Sequence, residues 1–236
     1  MDVQRFLKEL DALLGKEAFP EAKAFLYAAL NECEKEKDVL SKISVYNEIM
    51  GFERQWGENE AAINAANASI SLLEQTGMSV SRPAAMIYLN AATVYKNAGN
   101  TPGAKELYET AEKLFLRYYS PNDKETAGLY NNMASVYLDP NNYPKAEYYY
   151  QRALSILTRA GDVCDAAVTY MNLAGLEKNR LNEKQALLYA EEAKRLMDVP
   201  DEKRDGYYRY TCRKCVSACK EMGMPEMAAH FEKQIK

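Results

Sequence analysis

Histidine is almost missing from this chain: His230 is the single one in 236 residues, and tryptophan is as scarce. With so little imidazole, a His-based metal centre or general base has almost nothing to draw on. There is no GxSxG, no Gly-rich phosphate loop and no HExxH, and carboxylates such as Glu191 and Glu192 alternate with lysines as they do on a solvated helix face. No catalysis and no cofactor are expected. No run of about 18 apolar residues occurs, and the stretch from Met1 to Leu14 is charged and amphipathic rather than signal-like. The formal net charge of −4 supplies no overall positive field, which argues against nucleic acid and anionic membrane as partners. Five unevenly spaced cysteines suit thiols in a reduced compartment better than a disulfide framework, so the cytoplasm is the expected location.

What the chain does have is a helix-former's palette, 47% hydrophobic and 27% charged residues, arranged with a period. The segment LYNNMASVYLDPNNYPKAEYYYQRALSIL, Leu129 to Leu157, reads as a helical hairpin. Tyr130, Met133, Ala134 and Tyr137 fall on one face of a first helix, and Ala146, Tyr150 and Ala153 on one face of a second. Pro140, Asn141 and Asn142 supply the turn between them. Sliding this template along the chain places a small residue at Ala22, Ala62, Ala104, Ala146, Ala186 and Ala228, at intervals of 40, 42, 42, 40 and 42 residues. The aromatic of the first helix keeps step as Phe6, Tyr46, Tyr88, Tyr130 and Tyr170, with Cys212 in its place in the last unit. Turn signals agree: Gly57, Gly99 and Gly223 follow first helices, and Thr101-Pro102 reads as a cap with Pro in the first turn. Antiparallel helices approach closely only over short side chains, which is the physical reason for the alanines. The 18 tyrosines fill the space beside each crossing, ring inward and hydroxyl outward.

Small residues at Ala92, Ala104 and Ala111, with Tyr95 and Tyr108 between them, resemble the tetratricopeptide-repeat pattern, and the likeness extends over nearly the whole chain. The common period is about 34 residues; the longer one here, with Asn-Asn before the small residue, resembles the repeats of kinesin light chain. The resemblance implies an all-α fold, a right-handed superhelical solenoid of about six hairpins forming one domain over 1–236. The repeats would be approximately 3–42, 43–84, 85–126, 127–166, 167–208 and 209–236. Leu10, Met50 and Val216 stand where the pattern wants a small residue, so looser packing is expected there.

In such solenoids the first helices line the inner surface. The positions beside the apolar stripe are polar: Asn47 and Arg54; Asn90, Lys96 and Asn97; Asn131 and Asn132; Asn172, Lys178 and Asn179. Asparagine is a poor helix former, so its repeated use within helices asks for a reason. One reason is peptide binding, since an amide can pair with the backbone of an extended segment whatever its sequence; the best ladder is Asn90, Asn132 and Asn172. The other is that these amides bond neighbouring helices or face solvent. Gly51, Thr93, Ser135, Gly175 and Ser217 leave room either for a ligand's main chain or for close helix packing. Arg54, Lys96, Lys178, Arg213, Lys214 and Lys220 would favour an acidic peptide, or are solvated charges. The family's chaperone-tail clamp of Lys, Asn and Arg is not reproduced, because Thr93 or Ser135 and Gly128 and Asn132 occupy its positions.

Cys212, Cys215 and Cys219, with His230 nearby, invite a metal, but their i, i+3, i+7 spacing coincides with the stripe of Tyr170, Leu173 and Glu177 one unit earlier, so core packing is expected. The expected function is a scaffold that binds a protein or peptide, an acidic one by preference, in an Asn-rich groove. Two alternatives are a sensing module like the bacterial peptide-pheromone receptors, though no DNA-binding segment precedes Phe6, and a self-associating protein pairing through a last unit that ends at Lys236 without a polar cap.

Overall fold

The computed structural model describes residues 1–199 and 205–235, and these hold twelve α-helices and no strand. Residues 200–204 of the fifth expected repeat, and Lys236, named in the self-pairing alternative, lie outside the described residues.

The helices form two compact units. Unit 1, 1–118, holds three hairpins: α1 (Val3–Gly15) with α2 (Phe19–Glu36), α3 (Val39–Gln55) with α4 (Asn59–Gln75), and α5 (Arg82–Asn97) with α6 (Thr101–Tyr118). Unit 2, from Tyr119, holds α7 (Lys124–Ala134) with α8 (Tyr143–Ala160), α9 (Val163–Asn179) with α10 (Glu183–Leu196), and α11 (Gly206–Glu221) with α12 (Pro225–Gln234). Each hairpin after the first opens three or four residues before the boundary that the aromatic register suggests.

Local chemistry starts and stops these helices. The first helices are capped by a side chain that accepts backbone N–H groups: Asp2 on α1, Asp38 on α3, Ser81 on α5, Asp162 on α9 and Asp205 on α11. The turn inside five hairpins holds one left-handed residue, Glu17, Gly57, Gly99, Leu181 or Gly223. There the chain reverses with a backbone bond from the residue after it to the helix, as from Asn100 to the Tyr95 carbonyl at 2.9 Å. The cap of α6 is Asn100, whose oxygen accepts from the Gly103 N–H at 3.0 Å, rather than Thr101, which is already helical.

The fourth hairpin is built differently. Its first helix ends at Ala134, three residues short of Tyr137, and Ser135 and Tyr137, expected on the helix, lie in the connection. The Ser135 hydroxyl donates to the Asn132 carbonyl at 2.6 Å, diverting the last turn, and Asp139-Pro140 cannot continue it. Tyr137 is nevertheless buried, stacked on Tyr149 with centroids 6.0 Å apart.

The cores sit where the register puts them. Ala22, Ala62, Ala104, Ala146 and Ala186 have no exposed surface and Ala228 has 2%. Leu10, Met50 and Val216 are buried too, despite their size. Cys212, Cys215 and Cys219 pack among Ala190, Met227 and Phe231, and all five cysteines are free thiols. Burial pushes the Cys215 thiol up to about 12 and Cys219 to about 11, so they stay protonated as small apolar groups.

Two carboxylates interrupt this apolar pattern. Glu53, with no exposed surface, accepts from Lys23 Nζ at 3.0 Å and from the Tyr27 hydroxyl at 2.8 Å, joining the first and second hairpins. Glu177, on the stripe that the spacing reads as apolar, accepts from Arg180 at 2.6 Å and Asn182 at 2.7 Å, and Arg180 also reaches Glu147 of the fourth hairpin. Each buried carboxylate has a cation and a second donor beside it, as a buried charge must.

Candidate functional site

The side chains singled out by sequence separate by what they bond. In unit 1, the Asn90 amide donates to the Asn47 side-chain oxygen at 2.8 Å, and Asn47 donates to Glu48 at 3.1 Å. In unit 2, Asn131 donates to the Thr169 hydroxyl at 2.8 Å. These three amides join first helices of successive hairpins. The side chains of Asn97, Asn132, Asn172 and Asn179 have no hydrogen-bond partner among the described residues, and they are half-buried or exposed on first helices.

Three of the predicted residues come together over α9. Asn172, Lys178 and Asn179 line an open cleft of about 470 Å³ with Gly175, Met171, Leu176 and, from neighbouring hairpins of the same unit, Tyr150 and Glu221. Asn172, Gly175 and Asn179 stand at i, i+3 and i+7, one stripe of one helix. A Cβ built on Gly175 meets nothing within 4 Å, so its smallness is not a packing requirement of the fold. The cleft thus combines amides free to donate and accept, an apolar lining from Met171 and Leu176, and a place where a second main chain can approach α9. Tyr150 escaped sequence reasoning as a site residue because its spacing places it in the core, where it is only 2% exposed, and Glu221 because it is one more exposed acid at the end of α11. Burial alone raises the Tyr150 hydroxyl's pKa, keeping it a neutral donor.

The run of positive charge is interrupted. Lys178 is held by both oxygens of Glu183 at 2.8 Å, and Lys220 by Glu232 at 2.7 Å. In unit 1, Arg54 and Lys96, both half-buried, have no ion pair among the described residues. Burial and the neighbouring Arg54 guanidinium hold the Lys96 ammonium below the usual lysine range.

Helices paired in this way, with alanine at every crossing, are matched by one family model: the tetratricopeptide repeat, over residues 83–159. Residues 83–159 carry tetratricopeptide repeats. Sequence comparison with curated proteins gives no match. Among solved structures, BtubC (BKLC) from P. vanneervenii is similar with a TM-score of 0.71 and 22% identity, over 82% of this chain and 79% of that one. A Podosopora anserina protein with nearly identical TPR-like repeats, described as a kinesin light chain, gives 0.61 and 13%, over 82% and 93%. The B. thuringiensis quorum sensor NprR is solved alone and with its cognate peptide NprX; the peptide complex gives 0.66 and 16%, over 98% of this chain and 66% of that one. The tetratricopeptide-repeat fold is therefore common to the chain and to these proteins, and it is a fold suited to binding other proteins.

Proposed function

We propose that the chain is a non-catalytic adaptor, its six hairpins acting as one array over 1–236, which receives an extended segment of a partner protein along its first helices. The observation that carries this reading is the stripe on α9: two side-chain amides with no hydrogen-bond partner among the described residues, Asn172 and Asn179, on either side of a helix-interior glycine whose Cβ position is empty. Glycine within a helix is worse than alanine by about 1 kcal/mol, and here no packing contact of the fold compensates. A passing peptide backbone does, by bonding to the amides at the point where α9 is narrowest. NprR, which is solved with a peptide, supports peptide capture as a use of this fold. Arg54 and Lys96 favour an acidic residue in the partner, and the five free thiols, with no described helix long and apolar enough to cross a membrane, suit a cytoplasmic setting.

The test is a displayed-peptide selection on the wild-type chain, followed by affinity measurement on Gly175→Leu and on Asn172→Ala/Asn179→Ala. The Cβ of Gly175→Leu has open space and its side chain occupies the cleft, so it should weaken binding by about tenfold, or about 1.4 kcal/mol, with helicity and melting temperature preserved. Undiminished binding to both variants sinks the cleft over α9 as the seat.

A further inference from the structure

The first-helix face of unit 1 differs chemically from the cleft over α9. Leu40, Ile43 and Asn47 of α3 line an open, mainly apolar cleft of about 390 Å³ together with Leu7 of α1 and Met86 of α5. Glu48 lines the same cleft. Its carboxylate accepts from the Asn47 amide at 3.1 Å and has no ion pair among the described residues. Desolvation, with a smaller contribution from Asp11 on α1, pushes the Glu48 pKa above the ordinary carboxylate range.

Six residues further along α3 the sign changes. At a rise of 1.5 Å per residue, Arg54 lies about 9 Å along the axis from Glu48, and it is near enough to Lys96 of α5 to disfavour that ammonium. Between the two ends stands Gly51, where an added Cβ meets nothing within 4 Å. A half-buried ion without a counter-ion raises the free energy of the unbound protein, and a ligand charge of opposite sign relieves it. Unit 1 has two such places, of opposite sign, on the helix that carries the apolar cleft.

We propose that this face docks a dipolar segment of a partner protein: an apolar side chain in the cleft, a lysine or arginine beside it against Glu48, and a carboxylate beyond Gly51 against Arg54 and Lys96. A uniformly acidic segment satisfies one end and is repelled by the other. The inference rests on the reading of the first helices as docking surfaces but concerns residues separate from the cleft over α9.

The experiment uses three labelled peptides with the same apolar anchor, one flanked by lysine on one side and glutamate on the other, one by lysines only and one by glutamates only. Each is titrated by fluorescence anisotropy into the full chain as wild type, Glu48→Lys and Arg54→Glu. Both positions are partly solvated, and circular dichroism checks that the variants fold. The expected result is that wild type takes the dipolar peptide about tenfold more tightly than either other, that Glu48→Lys moves the preference to the glutamate peptide, and that Arg54→Glu moves it to the lysine peptide. One ranking shared by all three proteins overturns the proposal, as does an absence of binding to wild type. Binding that ignores Glu48 and Arg54 but is lost in Gly175→Leu overturns this inference and leaves the cleft over α9 standing.

Discussion

Asn90 and Asn47 hold one another across two successive hairpins, amide to amide at 2.8 Å. Asn132 and Asn172 hold the place of Asn90 in their own repeats, yet the side chain of neither has a hydrogen-bond partner among the described residues. One repeat position has here been put to two uses, joining hairpins as Asn90 in unit 1 and presenting free amides as Asn132 and Asn172 in unit 2.

These uses separate by mutation. Asn90→Ala removes a bond of about 1 kcal/mol, partly offset by the better helix propensity of alanine, and should lower stability by about 0.5 kcal/mol. Asn172→Ala loses no intramolecular bond and should leave stability unchanged or raised by a few tenths, with binding weakened. Urea unfolding of the single variants beside wild type checks both signs; an equal loss of stability in the two would mean that Asn172 is structural.

Glu53 is the carboxylate on which the first two hairpins converge. Glu53→Ala breaks charge-assisted bonds to Lys23 and Tyr27, but Lys23 is 46% exposed and recovers solvation, so the expected loss is about 2 kcal/mol rather than the larger value for a fully buried pair. Glu53→Gln should lose about half as much. The exposed pair Arg5 and Glu9, 2.8 Å apart, is the control, and Glu9→Gln should leave the denaturation midpoint unchanged. Chemical denaturation of the four proteins decides it.

Alkali should unfold the protein over a defined window. Burial pushes Tyr108 up to about 12 and Cys215 to about 12, Tyr27 follows through burial and its bond to Glu53, and the ordinary values are 10 for tyrosine and 9 for cysteine. A raised folded-state pKa means that the native state keeps its protons where the unfolded chain gives them up. The contribution is therefore whole below pH 9 and is lost as pH rises towards 12. Far-ultraviolet ellipticity against pH should fall across that window, and Tyr108→Phe should shift the fall to higher pH. Constant ellipticity up to pH 12 would contradict it.

The hairpin register was legible because helix crossing makes one demand that only a small side chain meets, and Ala22 through Ala228 meet it every 40 to 42 residues. The shortened α7 was harder to read, since Ser135 keeps helical spacing and ends the helix through a hydroxyl bond to Asn132. The charged track read from Lys96, Lys178 and Lys220 failed in part for a similar reason. Whether a lysine is free depends on an acid placed by the next turn or helix, as Glu183 is for Lys178 and Glu232 for Lys220. Glu177 was hidden by its spacing, since burial follows position and the polar partners that permit it, Arg180 and Asn182, arrive only once the turn is formed. Of the choices that the sequence left open for Gly51 and Gly175, close helix packing is removed by the empty space around both.

Trp56 closes α3 in the second hairpin of unit 1, its indole 4.4 Å from the Phe19 ring and 6.3 Å from Phe52, and 47% exposed. As the chain's single tryptophan, two residues from Arg54, it gives the molecule an intrinsic optical reporter that belongs to one unit alone. Its emission follows the meeting of the first two hairpins while far-ultraviolet signals follow every helix, so a chain whose units melt separately betrays itself, without any label, as two curves that do not superimpose.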